Sequence, residues 1–377
     1  MKITSYEALC NLGNSINEIY ENAINGNANY FEYINSYLRD KEIRVGVIHN
    51  DLTKIEEEDF NIRCNKFIVE VLNKIKNKTE EIIKKYGRSR IAVIAATTNS
   101  GVDEYEESGN SRHYEIGNPA YFIRNYLKLE SYYATVSTAC SSGLIAFSTA
   151  QDILNNDIAD AVIISCTDAV SKVPVFGFNS LEVLSEKPTI PFSKNRSGMN
   201  IGEACAIFIT EKESQSGINV MSISQSSDIY HSTTPDPTGE ESINAIRIAL
   251  KNADLKAEDI DYINAHGTGT VANDTMEANA IYKIFKDTVP VSSTKPLTGH
   301  CLGAAAGIET ALCCKLIENF DGRLYPNVYD GEYDDTLPKI NLVNSNQIYP
   351  KCKICMCNSF GFGGTNAIMI LGKSNEK

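Results

Sequence analysis

The sequence has no apolar run long enough to cross a membrane as a helix, and Met1 to Tyr20 lacks the charged-then-apolar order of a secretory signal. It also lacks the even cysteine framework of a small secreted domain. Its eleven cysteines include the adjacent Cys313 and Cys314, and free thiols in a reducing compartment fit better, so a cytoplasmic protein is the expectation. An excess of basic charge is missing as well. The formal net charge of −13 argues against general nucleic-acid binding, which phosphate neutralisation drives. The densest basic stretch, Lys74 to Arg90, is interleaved with Glu80, Glu81 and apolar positions and reads as a solvated amphipathic helix face. Flexible linkers and low-complexity tracts are absent beyond a mild excess of Asn and Lys.

What remains is an ordinary globular composition, 42% hydrophobic and 22% charged, over 377 residues, enough chain for a large core. Asn14 to Asn27 reads as a helix capped by Asn14 or Ser15 and stopped by Gly26. A short strand "IRVGVIH" follows, then a long helix from about Asn61 to Tyr86 closed by Gly87, then the continuously apolar strand Ile91 to Ala96. Thr97 to Asn118 is polar and is expected as a long surface loop, and Pro119 to Leu127 as a helix opened by proline. Asp160 to Cys166 is a buried strand, Ser171 to Gly202 an irregular stretch, and strands at Ala204 to Thr210 and Ile218 to Gln225 close a first half. The remainder repeats the theme of strands alternating with helices, which predicts a parallel or mixed sheet covered on both faces. The small-residue opening of "CLGAAAGIETALCC" (Cys301 to Cys314) resembles that of "CSSGLIAFSTAQ" (Cys140 to Gln151) and hints at an internal duplication.

The chemistry centres on "VSTACSSGL", Val136 to Leu144. Strand-forming "SYYATV" gives way at Cys140 to a small-residue helix. A thiol at that junction sits at the positive end of a helix dipole, near unpaired N–H groups, which favours thiolate and can hold an oxyanion. A buried structural cysteine is the plainer reading of Cys140 alone. Two of the five histidines, His266 in "NAHGTGT" and His300 in "STKPLTGHCLGAAAGIE", lie in small-residue turns directly after strands, where α/β proteins bind ligands. A zinc site built from these three residues competes, but no short ligand spacing supports it. "CKICMC", Cys352 to Cys357, reads as buried strand cysteines rather than a metal motif.

Taken in order, "TACSSG", "NAHGTGT", "STKPLTGHCLGAAAGIE" and "NSFGFGGTNA" resemble the β-ketoacyl-[acyl carrier protein] synthases of the elongating Cys-His-His type, over nearly the whole chain. The resemblance implies a thiolase-like α/β fold of two similar βα halves in a layered αβαβα arrangement. The N-terminal half, residues 1–225, would carry the nucleophile, and the C-terminal half, residues 226–377, both histidines and a gating loop. It implies that Cys140 accepts an acyl group from an acyl carrier protein. His266 and His300, neutral and donating, would stabilise the enolate of a decarboxylating malonyl thioester. By the same resemblance the backbone N–H groups of Cys140 and Phe362 form an oxyanion hole, and Phe362 gates the acyl pocket with Phe360 nearby. Lys295 and Glu309 form a buried polar pair near the second histidine, and Thr268 and Thr270 hydrogen-bond the pantetheine arm. Plain alternatives stand beside these: core aromatics for Phe360 and Phe362, surface residues for Lys295 and Glu309, and turn-forming threonines for Thr268 and Thr270.

No metal and no bound cofactor are expected, the substrates riding on the phosphopantetheine of the acyl carrier protein. The expected assembly is a homodimer, or a heterodimer with a related synthase-like subunit. Where relatives often carry acids and an aromatic, Pro191 to Ala204 here has Ser193, Ser197 and Met199, and the chain starts so close to its first helix that the usual opening strand looks shortened. With "FNIRCNKF" (Phe60 to Phe67), these departures resemble synthases of aryl-polyene-type gene clusters. Because the carrier is acidic in this family, Arg124, Lys194 and Arg196 are candidates for a local basic docking patch. A catalytically silent partner subunit and a thiolase-like hydrolase or acyltransferase remain as alternatives.

Overall fold

A computed structural model describes residues 1–38 and 40–373. Its strands in chain order are β1 (Lys2–Cys10), β2 (Glu32–Ile34), β3 (Ile43–Gly46), β4 (Ile91–Ala96), β5 (Tyr133–Val136), β6 (Ala161–Asp168) and β7 (Ile201–Gly202). They continue with β8 (Ala204–Glu211), β9 (Ile218–Ser227), β10 (Tyr262–Asn264), β11 (Pro290–Ser292), β12 (Asn341–Leu342), β13 (Ile354–Phe360) and β14 (Thr365–Lys373). Eleven form one sheet ordered β12-β11-β10-β13-β14-β9-β1-β8-β6-β4-β5, and β2, β3 and β7 form a small separate one.

The long order conceals a duplication. From β1 outward through β8, β6, β4 and β5 the pairings run antiparallel, antiparallel, parallel, parallel. From β9 outward through β14, β13, β10 and β11 they run the same way. The halves meet where β1 pairs briefly with β9. Since β9 pairs along its length with β14, it belongs to the second set of strands, although the sequence reading closed the first half with it.

The helices Ser142–Asn155 and Ala305–Asn319 pack against one another and against strands of both halves, which makes them the middle layer. Small residues permit this. A Cβ on Gly143 would lie 2.9 Å from the Cβ of Ala306, and one on Gly307 would lie 2.4 Å from the Cβ of Cys166. Arg63–Lys74 covers β1, β6 and β8 from outside, and Glu240–Asn252 covers β9 and β14, completing the layered αβαβα arrangement expected of a thiolase-like fold. No helix among the described residues is long and apolar enough to cross a membrane.

Several local expectations are corrected. The opening strand is not shortened: β1 runs nine residues through the middle of the sheet, bonded to β8. The helix expected from Asn61 to Tyr86 is two, Arg63–Lys74 and Lys76–Tyr86, parted at Ile75, whose φ of −103° and ψ of 17° leave helical geometry. The polar stretch after β4 is not a loop throughout. It holds helices Val102–Ser108 and Ser111–Tyr114, separated by Gly109 in the left-handed region and by Asn110, whose side chain accepts from the N–H of Arg112. Ser171 to Gly202 likewise opens with a helix, Lys172–Ser180.

Candidate active site

The three residues singled out for chemistry converge from three strand ends. Cys140 follows β5 through a tight turn in which Ala139 takes a φ of +53°, a left-handed conformation that a non-glycine residue holds only at a cost. Hydroxyls pin the turn: Ser141 Oγ donates to the Thr138 carbonyl at 2.7 Å, Ser142 Oγ to the Ala139 carbonyl at 2.6 Å, and Ser359 Oγ of β13 to the Cys140 carbonyl at 2.9 Å. His266 leaves the end of β10, and His300 follows the short helix Lys295–Thr298 beyond β11. Nε2 of His300 lies 3.0 Å from Sγ of Cys140, and the two imidazoles meet edge to face with centroids 5.4 Å apart. All three side chains are buried.

Hydrogen bonds fix how the histidines carry their protons. Nδ1 of His300 accepts from the N–H of Leu302 at 3.2 Å, and Nδ1 of His266 faces the ammonium of Lys295 at 3.3 Å. Burial, reinforced by the charge of Lys295, holds both imidazoles well below the ordinary histidine pKa. A neutral ring whose Nδ1 accepts must keep its proton on Nε2, so both rings point an N–H donor at the site. The main chain of His266 is held by Glu277, whose two carboxylate oxygens accept from the N–H groups of His266 and Gly267 at 2.8 and 2.7 Å.

The buried pair Lys295 and Glu309 exists at 2.5 Å, but its ammonium bonds the first histidine, His266, rather than the second. The reason is topological: Lys295 begins the turn that leads to His300 and so faces the end of the neighbouring strand β10. Burial pushes the Glu309 carboxyl up to about 7, against the attraction of Lys295.

The candidate nucleophile differs from expectation in its resting state. Desolvation pushes the Cys140 thiol up to about 11, although Lys295 and the backbone N–H groups of Phe362 and Cys140 pull it down. The helix-end reading of Cys140 weighed only the favourable side; full burial outweighs it here. The same two N–H groups are those expected to form an oxyanion hole, and both bear on the sulfur.

A cavity of about 410 Å³ reaches this centre and is lined by Thr268, Thr270, Phe360 and Phe362 among others. A second, of about 310 Å³, approaches Cys140 from another side, past Thr98, Val173 and Leu302. Phe362 and Phe178 line both, their rings 5.7 Å apart, so Phe362 stands between the two spaces. Gly363 and Gly364 after it have φ of +87° and +83°, and a Cβ on Gly364 would lie 1.8 Å from the Asp228 carbonyl oxygen. Phe360, by contrast, is buried with its ring against His266. Thr270 serves the turn as well as the cavity, since its side chain caps the helix Val271–Phe285 and its hydroxyl lies 2.9 Å from that of Thr268.

Sγ of Cys140 and ring nitrogens of His266 and His300 all lie within 4.8 Å of one another, a spacing three metal ligands would also show. The Lys295 ammonium on His266 works against a cation there. "CKICMC" places Cys355 and Cys357 in β13 with Cys352 just before it, all buried, with Cys357 Sγ 3.3 Å from Cys313 Sγ.

The docking candidates do not form a patch. Arg196 is buried, 2.5 Å from Asp334. Lys194 is paired with Glu332, and Arg124 lies over the ring of Tyr133 at the β5 edge. Sequence reasoning missed Glu277 and Asp274, yet both stand on the inward face of one helix at a spacing of three, a placement that signals carboxylates with buried work.

Residues 86–216 match the family described as "Beta-ketoacyl synthase, N-terminal domain", and residues 218–326 match "Beta-ketoacyl synthase, C-terminal domain". A 3-oxoacyl-[acyl-carrier-protein] synthase 2 from Coxiella burnetii is 35% identical over 63% of this chain and 61% of its own length. Nodulation protein E from Rhizobium leguminosarum bv. trifolii is 34% identical over 62% of this chain and 60% of its own. These matches thus span about three fifths of the curated relatives. A chain of the solved complex of a ketosynthase with its chain length factor, from Xenorhabdus doucetiae, is 35% identical. It aligns over 99% of this chain and 98% of its own, with a TM-score of 0.94.

Proposed function

The chain belongs to the β-ketoacyl synthase family, and from that premise we propose that it catalyses decarboxylative Claisen condensation, joining an acyl group held on Cys140 to a malonyl unit on acyl carrier protein. The observation that carries the reading is the convergence of one thiol, two Nε2–H donors and two backbone N–H donors at the end of one cavity. The Cys140 sulfur attacks the acyl thioester, its proton leaves with the carrier thiol, and an acyl-enzyme remains. The malonyl thioester then sheds carbon dioxide, and the electron pair left behind becomes an enolate held by Nε2–H of His266 and His300. Its carbon attacks the acyl-Cys140 carbonyl. The resulting oxyanion is held by the N–H groups of Cys140 and Phe362 until the sulfur leaves, giving a chain two carbons longer. Decarboxylation itself supplies the carbanion, so the reading needs no bound cofactor or metal.

Acyl carrier protein is the proposed substrate-bearing partner, and a second synthase-like subunit, identical or related, is proposed at β5. Support for the latter is the open edge of that strand, where Tyr121, Tyr132 and Tyr133 are exposed, together with the relative solved as a complex with a chain length factor. A cytoplasmic location is part of the reading, supported by eleven cysteines that are all free and buried.

The test is intact-protein mass spectrometry after incubation with a medium-chain acyl carrier protein, then with malonyl carrier. An acyl-sized gain mapping to Cys140, discharged with release of β-ketoacyl product, is expected. No gain across a series of acyl groups would turn the reading towards a silent subunit.

A further inference from the structure

A buried carboxylate outside the catalytic set ties the two halves together behind His300. Asp168 ends β6 with no exposure to solvent, and its carboxylate accepts hydrogen bonds from three residues of both halves. Thr97 Oγ1 donates at 2.6 Å, Thr98 N–H at 3.0 Å and Thr98 Oγ1 at 2.9 Å, all from the turn after β4. The remaining bond crosses to the second half: the N–H of Gly303 donates to Oδ2 at 2.7 Å. A Cβ on Gly303 would lie 2.7 Å from that oxygen, so any side chain there would press on the carboxylate.

The residue before it, Leu302, has a φ of +54°, a left-handed conformation that a branched side chain resists unless its surroundings impose it. In that conformation the Leu302 N–H donates to Nδ1 of His300, which leaves the ring proton on Nε2, the atom 3.0 Å from the Cys140 sulfur. Two contacts hold this turn: the Ala304 N–H donates to the Cys301 carbonyl at 2.9 Å within it, and Asp168 takes the next N–H along the chain from outside. We propose that Asp168 is a positioning residue: by anchoring Gly303 it holds the left-handed turn at Leu302, and so keeps His300 in the Nε2–H tautomer facing Cys140. As a statement about catalysis this rests on the condensing-enzyme reading, but as a statement about the tautomer it does not.

The test uses Asp168→Asn in the full chain, which keeps the size but turns one acceptor into a donor facing donors. Nitrogen-15 spectra of the imidazoles, with His300 assigned by its loss in His300→Ala, are expected to show one Nε2-protonated tautomer in the parent and a mixture in the variant. Malonyl decarboxylation is expected to fall about tenfold in kcat, with KM within about twofold, as for other residues that act through a catalytic group. In the His300→Ala background the same substitution should cost nothing further. Thr98→Val, which removes one hydroxyl from the carboxylate, and Gly303→Ala, which pushes the turn from the other side, carry the same tautomer test should Asp168→Asn fold poorly. An unchanged His300 tautomer in the variants that fold, or an equal loss with and without His300, overturns the assignment. A parent protein with the expected tautomer but no condensation sinks the functional reading and leaves the positioning role standing.

Discussion

The two halves of the molecule share one strand pattern and put opposite chemistry on it. In the first, the turn after β4 carries Thr97 and Thr98, and the turn after β5 delivers a thiol at the start of the helix Ser142–Asn155. In the second, the turn after β10 carries His266, and the connection after β11 delivers His300 ahead of the helix Ala305–Asn319. Where "CSSGLIAFST" places Ser148, "CLGAAAGIET" places Glu309, and that carboxylate brings the charge of Lys295 to the imidazoles. One half offers a buried thiol and the other a preorganised set of donors. A duplicated scaffold supplies opposed strand ends, and divergence at a few turn positions assigns the roles.

If the halves divide the chemistry this way, substitutions should separate the two steps. Cys140→Ala is expected to lower condensation by ~10⁴-fold or more while malonyl decarboxylation stays detectable. His300→Ala should instead lower decarboxylation by about 10²–10³-fold. Product and carbon dioxide assays on the same preparations check both, and a Cys140→Ala protein that still condenses would show that the nucleophile lies elsewhere.

The contrast between the paired helices can be sharpened next. Glu309→Ala strands the buried Lys295 ammonium, and a loss of about 3–5 kcal/mol in stability is expected from denaturant midpoints. Ser148→Ala, at the corresponding place in the first half, where the half-buried hydroxyl accepts from Gln225, should stay within about 1 kcal/mol. Equal losses would remove the energetic distinction between the halves.

The last contrast concerns pH. Alkylation requires the thiolate, and burial holds the Cys140 thiol at about 11, so its rate with iodoacetamide should climb about tenfold per pH unit from 7 towards 10. Because both histidines titrate well below their usual range, the profile should show no inflection near 6.5. A plateau below pH 8 would mean that the helix end outweighs desolvation after all.

Much of this was legible in the sequence because glycine-rich turns and catalytic side chains act locally. The order of Cys140, His266, His300 and the "GFGG" loop located the site, and the repeated small-residue openings announced the duplication now visible in the strand pairing. β1 was hidden because "KITSYEALC" carries polar residues in a strand whose pairing with β8 comes from far along the chain. The helices Val102–Ser108 and Ser111–Tyr114 were hidden because charge and glycine disguise short elements held by neighbours, such as Tyr105 against Tyr114.

The sequence by itself determined which side chains are the candidates for chemistry and the frame that carries them, since residue type, turn chemistry and periodicity are local properties. Only the tertiary structure decided that Lys295 serves His266, that Arg196 is paired with Asp334 and faces the buried Asp274, that Cys140 rests as a thiol, and that Asp168 reaches Gly303. Each of these depends on burial or on a partner 29 to 138 residues away in the chain, and desolvation and long-range pairing come into being only when the halves close around the two central helices.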